Sequence, residues 1–281
     1  MRGFLLCALL LGACASAPPA PLPSADIVIA AERAFAARAG EVGWIPAFRE
    51  YTAPDGQLVG QAGLVSAPER MAALADDGER DLFWAPVYAG IARSGDFGFT
   101  TGPVSFDATR TPAIQYFTVW RRQPDGSWKW IYDGGPGPVA EPGPFLAEGA
   151  APQELPLAAR GAGSAAAAVA QVSEIERGAS TALALTAHLG AGAHVYRAGQ
   201  ARAYGGADSA ARMTYPNSEV SYRTVRAEGS SAGDLVFTLG EANWVRDGAP
   251  RQGFYARIWQ LRPTGWAIVY DQLVVRAPPP G

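Results

Sequence analysis

Apolar residues along the first half of the chain follow a helical spacing and then alternate as they do in β-strands. They recur every three or four positions over residues 27–39, which predicts an amphipathic helix, and a second short helix is expected over 41–51. A turn at 53–56 and a short helix at 67–78 follow, and after them only strand-like segments, the last two joined by a tight turn at 124–126. Helices followed by a run of strands predict an α+β domain, with the helices packed on one face of an antiparallel sheet.

This pattern is present twice. The segment "TVWRRQPDGSWKWIYD" (118–133) returns as "ARIWQLRPTGWAIVYD" (256–271), so that Trp120 matches Trp259 at an offset of 139 residues. Upstream, "SGDFGFTTG" (94–102) returns 138 residues later as "AGDLVFTLG". Solenoid repeats have periods of up to about 50 residues, so the long offset indicates a duplicated domain.

The second copy repeats the order of elements of the first. An alanine-rich helix is expected over 165–189 and a short helix at "GGADSAARM", and four strands follow. We place the two α+β domains at residues 24–135 and 164–276, and interpret the stretch rich in Pro, Gly and Ala at 136–163 as a linker.

The amino-terminal residues are typical of an export signal. Residues 1–13 combine Arg2 with a short apolar run, and "LGAC" at 11–14 resembles the lipobox of bacterial lipoproteins, which implies lipidation of Cys14. The alternative is an ordinary signal peptide cleaved near "ACASA". The resemblance implies an outer-membrane anchor facing the periplasm, because Ala15 replaces the aspartate of inner-membrane retention. Residues 14–23, rich in proline, would form a tether.

Composition excludes several classes of function. The 281 residues are 48% hydrophobic and 17% charged with a net charge of −3, which argues against nucleic acid as a partner. Cys7 would be cleaved away and Cys14 lipidated, so no thiol chemistry or disulfide is expected in the mature domains. With only two histidines in the chain, we expect no metal site and no cofactor.

The helix order, "AERAFAARAGEVGWIPAFREYTAPDG", "SGDFGFTTG" and the tryptophan-rich hairpin together resemble the nuclear transport factor 2-like (NTF2-like) superfamily, in its SnoaL-like, ketosteroid-isomerase-like branch. The resemblance is closer over residues 25–135 than over 165–276. It implies a curved sheet that wraps around helices to form a cone with an apolar cavity. Members of the superfamily include isomerases, cyclases and dehydratases as well as proteins that only bind ligands or dimerise, so the fold alone does not assign a function.

Aromatic residues are the candidate pocket residues of the first copy: Trp44, Tyr51, Trp84, Tyr88 and Trp120. The segment "FWAPVYAGI" is apolar on both strand faces, which predicts that both faces are covered and that one lines a cavity. A small apolar or aromatic ligand would suit such a site. Because the superfamily often pairs its sheets in dimers, we expect the two domains to pack on each other as a pseudo-dimer.

Two functions remain open on this basis. The first is a periplasm-facing lipoprotein that binds a small molecule or a protein without catalysis. The second is a lyase or isomerase acting on a small apolar substrate, with Asp55, Asp96 or His188 as acid or base. A role in turn formation accounts equally well for the presence of Asp55 and Asp96 at their positions. A favourable interaction of the imidazole with the helix dipole accounts for His188. Asp133 recurs as Asp271, which favours a shared structural role for both.

Overall fold

The structure is a computed structural model that describes residues 21–60, 63–76, 78–141 and 143–276. The predicted signal peptide, Cys14 and most of the predicted tether lie outside the described residues. The two halves of the described chain have the same order of elements and the same sheet topology.

The first half packs three helices against one face of a curved sheet. Its helices are α1 (Asp26–Val42), α2 (Trp44–Tyr51) and α3 (Ala67–Ala73). Its strands are β1 (Thr52–Gly60), β2 (Gly63–Ser66), β3 (Phe83–Trp84), β4 (Tyr88–Ile91), β5 (Phe97–Ser105), β6 (Ile114–Arg122), β7 (Trp128–Gly137) and β8 (Gln153–Glu154). The sheet order is β2-β1-β7-β6-β5-β4-β8, with β3 on β5. The pairings are antiparallel except β1 with β7 and β4 with β8.

The second half repeats this arrangement. It contains α4 (Ala165–Gly178), α5 (Ala182–Leu185), a 3-10 turn (Thr186–His188), β9 (Leu189–Arg197), β10 (Ala203–Tyr204), α6 (Gly206–Met213), β11 (Ser221–Gly229), β12 (Leu235–Arg246), β13 (Ala249–Arg262) and β14 (Gly265–Val275). Its sheet order, β10-β9-β14-β13-β12-β11, corresponds to β2-β1-β7-β6-β5-β4 of the first half, while β3 and β8 have no counterpart among the described residues. The predicted fold class, α+β with two tandem cones, is confirmed.

Three local predictions differ from the structure. The short helix expected at 67–78 ends at Ala73. The expected turn at 53–56 lies inside β1, which pairs in parallel with β7; a register shift between Thr52 and Gln57 accommodates it. The long-range pairing therefore overrides the local turn signal. The expected helix over 165–189 ends at Gly178, a poor helix former, and α5 then starts at its own cap, where the Thr181 hydroxyl accepts a hydrogen bond from the amide of Ala184.

The segment between the halves is tied to both of them. Its strand β8 pairs with β4 of the first half, and Leu155 is buried. Gln260 of the second half donates from Nε2 to the carbonyl of Pro156 at 2.8 Å. The region predicted as a linker therefore contributes a strand and a core residue.

The two sheets pack against each other on the faces that point away from the helices. One continuous core contains side chains from both sheets, and the rings of Phe117 and Tyr270 stack across it at 4.0 Å. Gln272 donates from Nε2 to the hydroxyl of Tyr132 at 3.0 Å in the same interface. Each sheet thus has its partner on one face and its own helices on the other, and the helix side forms the interior of a cone.

Candidate functional site

A glutamate is buried at the centre of the first cone. Glu32 of α1 is fully buried, and its carboxylate accepts hydrogen bonds from Nε1 of Trp84 at 2.5 Å and Nε1 of Trp120 at 3.0 Å. The hydroxyl of Thr100 donates to it as well. Burial raises the pKa of Glu32, and the bonds from Thr100, Trp84 and Trp120 oppose that rise.

The second cone contains the same arrangement around Glu176 of α4. Its carboxylate accepts from Nε1 of Trp259 at 3.0 Å and from the hydroxyl of Thr238 at 2.7 Å. These two donors are the repeat partners of Trp120 and Thr100, so the repeated segments pack around a repeated acid. The sequence analysis overlooked both glutamates. The feature that could have shown them is a glutamate among the apolar residues on the buried face of α1 and of α4.

The charge in the second cone is neutralised by arginine. Arg257 donates from Nη1 to Glu176 at 2.7 Å and from Nε to Asp271 at 2.6 Å. Nη1 of Arg197 lies 2.6 Å from the other oxygen of Asp271. Burial favours a raised pKa for Glu176, but the charge of Arg257 and the hydrogen bonds outweigh it and hold the pKa below its usual value.

Threonine replaces this arginine in the first cone. Thr118 occupies the position of Arg257, and its hydroxyl donates to Asp133 at 2.7 Å. Among the described residues, no ion pair reaches Asp133 or Glu32. Burial raises the pKa of Asp133 to about 7, helped by the charge of Glu32 and opposed by the bond from Thr118.

A cavity of about 190 Å³ opens from Asp133 to solvent. Its walls are mainly apolar, with Phe35, Phe48, Trp84, Val104 and Ile114 among the residues that line it.

Two glycines follow Asp133 in the cavity wall. Gly134 and Gly135 line it, and their counterparts in the second half are Gln272 and Leu273. A Cβ on Gly135 would lie 1.9 Å from the carbonyl oxygen of Gln115, so the backbone at this point accepts only glycine.

A tyrosine hydroxyl in the cavity wall lacks a partner. Tyr116 lines the cavity and is almost fully buried, and its hydroxyl makes no hydrogen bond to a described residue. Its counterpart Tyr255 donates to Glu176 at 2.8 Å. Burial raises the pKa of Tyr116 well above its ordinary value, the charges of Glu32 and Asp133 raise it further, and nearby Thr100 opposes them. Tyr116 therefore stays protonated at neutral pH.

The five predicted pocket residues occupy four different places. Trp84 lines the cavity, and Trp120 is fully buried with its indole on Glu32. Trp44 and Tyr51 of α2 are partly buried and pack on the helix-side core. Tyr88 lies in the interface between the sheets, where it stacks on the ring of His194 at 3.9 Å. Burial and Arg202 lower the pKa of His194 to about 4, so that ring is neutral at pH 7.

Asp55 and Asp96 connect the two halves. Asp55 lies within 2.6 Å of Arg121 and 2.8 Å of Arg226. Burial raises the pKa of Asp55, but the two arginines more than offset this and lower it. Asp96 accepts from the backbone amide of Ser231 at 3.2 Å. Neither carboxylate lines the cavity.

His188 lies at the end of the 3-10 turn in the second half. Its ring is 5.7 Å from that of Trp259. The structure therefore brings none of the three predicted acid or base residues to the cavity of the first cone. Asp133, interpreted from the sequence as structural, is the carboxyl group in its wall.

Several solved structures are similar to part of this chain. A DUF3225-family protein of unknown function from Pectobacterium atrosepticum is 20% identical over 39% of this chain and 91% of its own, with a TM-score of 0.30. An LEH-like epoxide hydrolase from M. tuberculosis is 16% identical, over 40% of this chain and 79% of its own, with a TM-score of 0.30. An NTF2-like protein with a cystatin-like fold from Novosphingobium aromaticivorans is 18% identical over 34% of this chain and 68% of its own, with a TM-score of 0.27.

Other comparisons add nothing to this picture. No family model and no curated protein sequence matches the chain. The similar structures just described cover 34–40% of the chain and carry no information about its activity.

Proposed function

We propose that the first half of this chain binds a small, mostly apolar molecule that carries an oxygen acceptor, and that in the second half Arg257 takes up the corresponding carboxylates. The observation that carries the proposal is the Asp133 carboxyl, which lines an open apolar cavity and has no cation beside it among the described residues.

The cavity limits the size of the ligand. Its 190 Å³ corresponds to about six water molecules at liquid density, which leaves room for roughly six to eight non-hydrogen atoms. Apolar walls favour a hydrocarbon body, and a few polar groups at one end would orient it. A small cyclic ketone has this size and polarity.

The polar end of the cavity favours an acceptor. Below pH 7 the Asp133 carboxyl is largely protonated, because its pKa is about 7, and it can donate a hydrogen bond. The hydroxyl of Tyr116 offers a second donor. A ligand carbonyl that accepts from both would satisfy two groups that lack a suitable partner in its absence.

We expect cyclohexanone to bind more tightly at pH 5.5 than at pH 8.5, by about tenfold, because deprotonation of Asp133 replaces a donor with a charged acceptor. Titration calorimetry of the full chain at the two pH values measures this. Asp133→Asn keeps a hydrogen-bond donor but cannot titrate, so the affinity of this variant for cyclohexanone should be the same at both pH values. Binding to the wild-type chain that is independent of pH, or absent, would contradict the proposal.

The pKa of Asp133 also favours a second candidate function, proton transfer. A carboxylate that titrates near neutral pH suits a general base, and the hydroxyl of Tyr116 could stabilise the enolate oxygen. Asp133 would take a proton from the carbon next to the carbonyl, the C–H electron pair would form the enolate, and the carbon would recover a hydron from Asp133. This step belongs to a lyase or isomerase.

Deuterium exchange tests this second function. In D₂O above pH 7, the chain should accelerate loss of the α-proton signals of cyclohexanone in an NMR time course, by at least about 100-fold over Asp133→Asn. If the wild-type chain and Asp133→Asn exchange the α-protons of cyclohexanone at equal rates, the first cone binds the ketone without catalysis.

We further propose that the chain is a lipoprotein held at the periplasmic side of an outer membrane through Cys14. The lipobox-like "LGAC" supports this. No helix among the described residues is long and apolar enough to cross a membrane. In a Gram-negative host, metabolic labelling with palmitate should mark the wild-type chain and leave Cys14→Ser unlabelled and released from the membrane fraction. Equal fractionation of both chains would exclude the anchor.

A further inference from the structure

The mouth of the second cone contains a cavity of about 110 Å³, separate from the site in the first half. Three arginines line it: Arg197, Arg246 and Arg251. Trp244 and Leu273 contribute apolar surface. Its charged side chains are cationic, whereas the cavity of the first cone is lined by the carboxyl of Asp133.

Two of these arginines lack full charge compensation. Arg251 makes no ion pair with any described residue, and Nε of Arg246 lies 3.8 Å from the exposed carboxylate of Asp247. Arg197 is buried and paired with Asp271, which also pairs with Arg257. The mouth therefore carries more positive than negative charge within a partly enclosed apolar setting, which favours an anion.

Donors without acceptors point in the same direction. Trp244 is more than nine-tenths buried, and its indole Nε1 has no hydrogen-bond partner among the described residues. An indole N–H and a guanidinium N–H can only donate, so they require an acceptor.

We propose that this mouth binds a small monocarboxylate with a short apolar chain. The planar fork of arginine matches a carboxylate, and Trp244 with Leu273 would contact the hydrocarbon part. The volume corresponds to about four water molecules, so the ligand has roughly four to six non-hydrogen atoms. This site does not depend on the function proposed for the first cone.

Butyrate is the probe for this proposal. Calorimetric titration of the full chain with sodium butyrate should show one site per chain, and butyramide, which has the same shape without the charge, should bind at least about tenfold more weakly. Thr118→Arg, which fills the first cone, should leave butyrate binding unchanged. Equal affinities for butyrate and butyramide, or loss of butyrate binding in Thr118→Arg, would overturn the assignment.

Two substitutions locate the site and a third is the control. Arg251→Gln removes the positive charge, Trp244→Phe removes the indole N–H donor, and each should weaken butyrate binding by about tenfold. Arg223→Gln removes an equal charge from an exposed ion pair with Glu241 on the same sheet and should bind as the wild type does. Circular dichroism confirms that each variant is folded. Equal weakening by Arg251→Gln and Arg223→Gln would show a general charge effect and no site.

Discussion

Replacement of Thr118 by arginine is expected to abolish cyclohexanone binding to the first cone, with at least about a 100-fold loss of affinity. The arginine would copy Arg257, which lies between a helix glutamate and a strand aspartate in the second cone. In the first cone it would lie between Glu32 and Asp133, occupy the cavity and lower the pKa of Asp133 by its positive charge.

Thr118→Ser is the matched control, because it keeps the hydroxyl that donates to Asp133. It should bind cyclohexanone within about threefold of the wild-type chain. Thermal unfolding shows whether Thr118→Arg remains folded, which we expect because its new charge has two carboxyl partners. A folded Thr118→Arg chain that binds as tightly as the wild type would contradict the location of the site.

The reverse change, Arg257→Thr, should lower the free energy of unfolding by about 3–5 kcal/mol. It removes the arginine between Glu176 and Asp271, both buried, and leaves Arg197 as the remaining partner of Asp271. Charges without a nearby opposite charge are costly in a protein interior. Urea denaturation at pH 7 measures the loss.

Arg223→Thr provides the comparison for that experiment. It breaks the ion pair with Glu241, whose side chains are 67% and 41% exposed, and should cost less than about 1 kcal/mol. If Arg257→Thr and Arg223→Thr lower the free energy of unfolding equally, pairing of Arg257 with the buried carboxylates does not stabilise the second cone.

Much of the fold was predictable because it depends on repeated, local signals. Helical spacing over 27–39, the turn at 124–126 and the match of Trp120 to Trp259 are each visible in the printed sequence. Each signal reflects an element that buries one face, and two copies of the same order imply two copies of the same cone. The long-range pairing of β1 with β7 has no comparable local signal, and the turn residues at 53–56 concealed it.

The site was less predictable because it depends on which side chains meet across strands and helices. Asp133 and Asp271 match in the sequence, which favours equal roles, yet Asp271 pairs with Arg197, and Arg257 lies beside it where Asp133 has Thr118. That difference is visible as "TVW" against "RIW", but its meaning requires the strand register and the position of the helix glutamate. Tyr88 illustrates the same limit: its strand is covered on both faces, and the sequence does not show which face meets the cavity.

The most direct test of the central claim is the titration of Asp133 itself. Carboxyl-detected carbon NMR of the full chain, with Asp133→Asn to assign the signal, measures the midpoint. We predict a midpoint near pH 7, moving downward in Thr118→Arg. A midpoint near the ordinary aspartate value of about 4 would contradict the claim that the Asp133 carboxyl has no cation beside it and stays protonated up to near neutral pH.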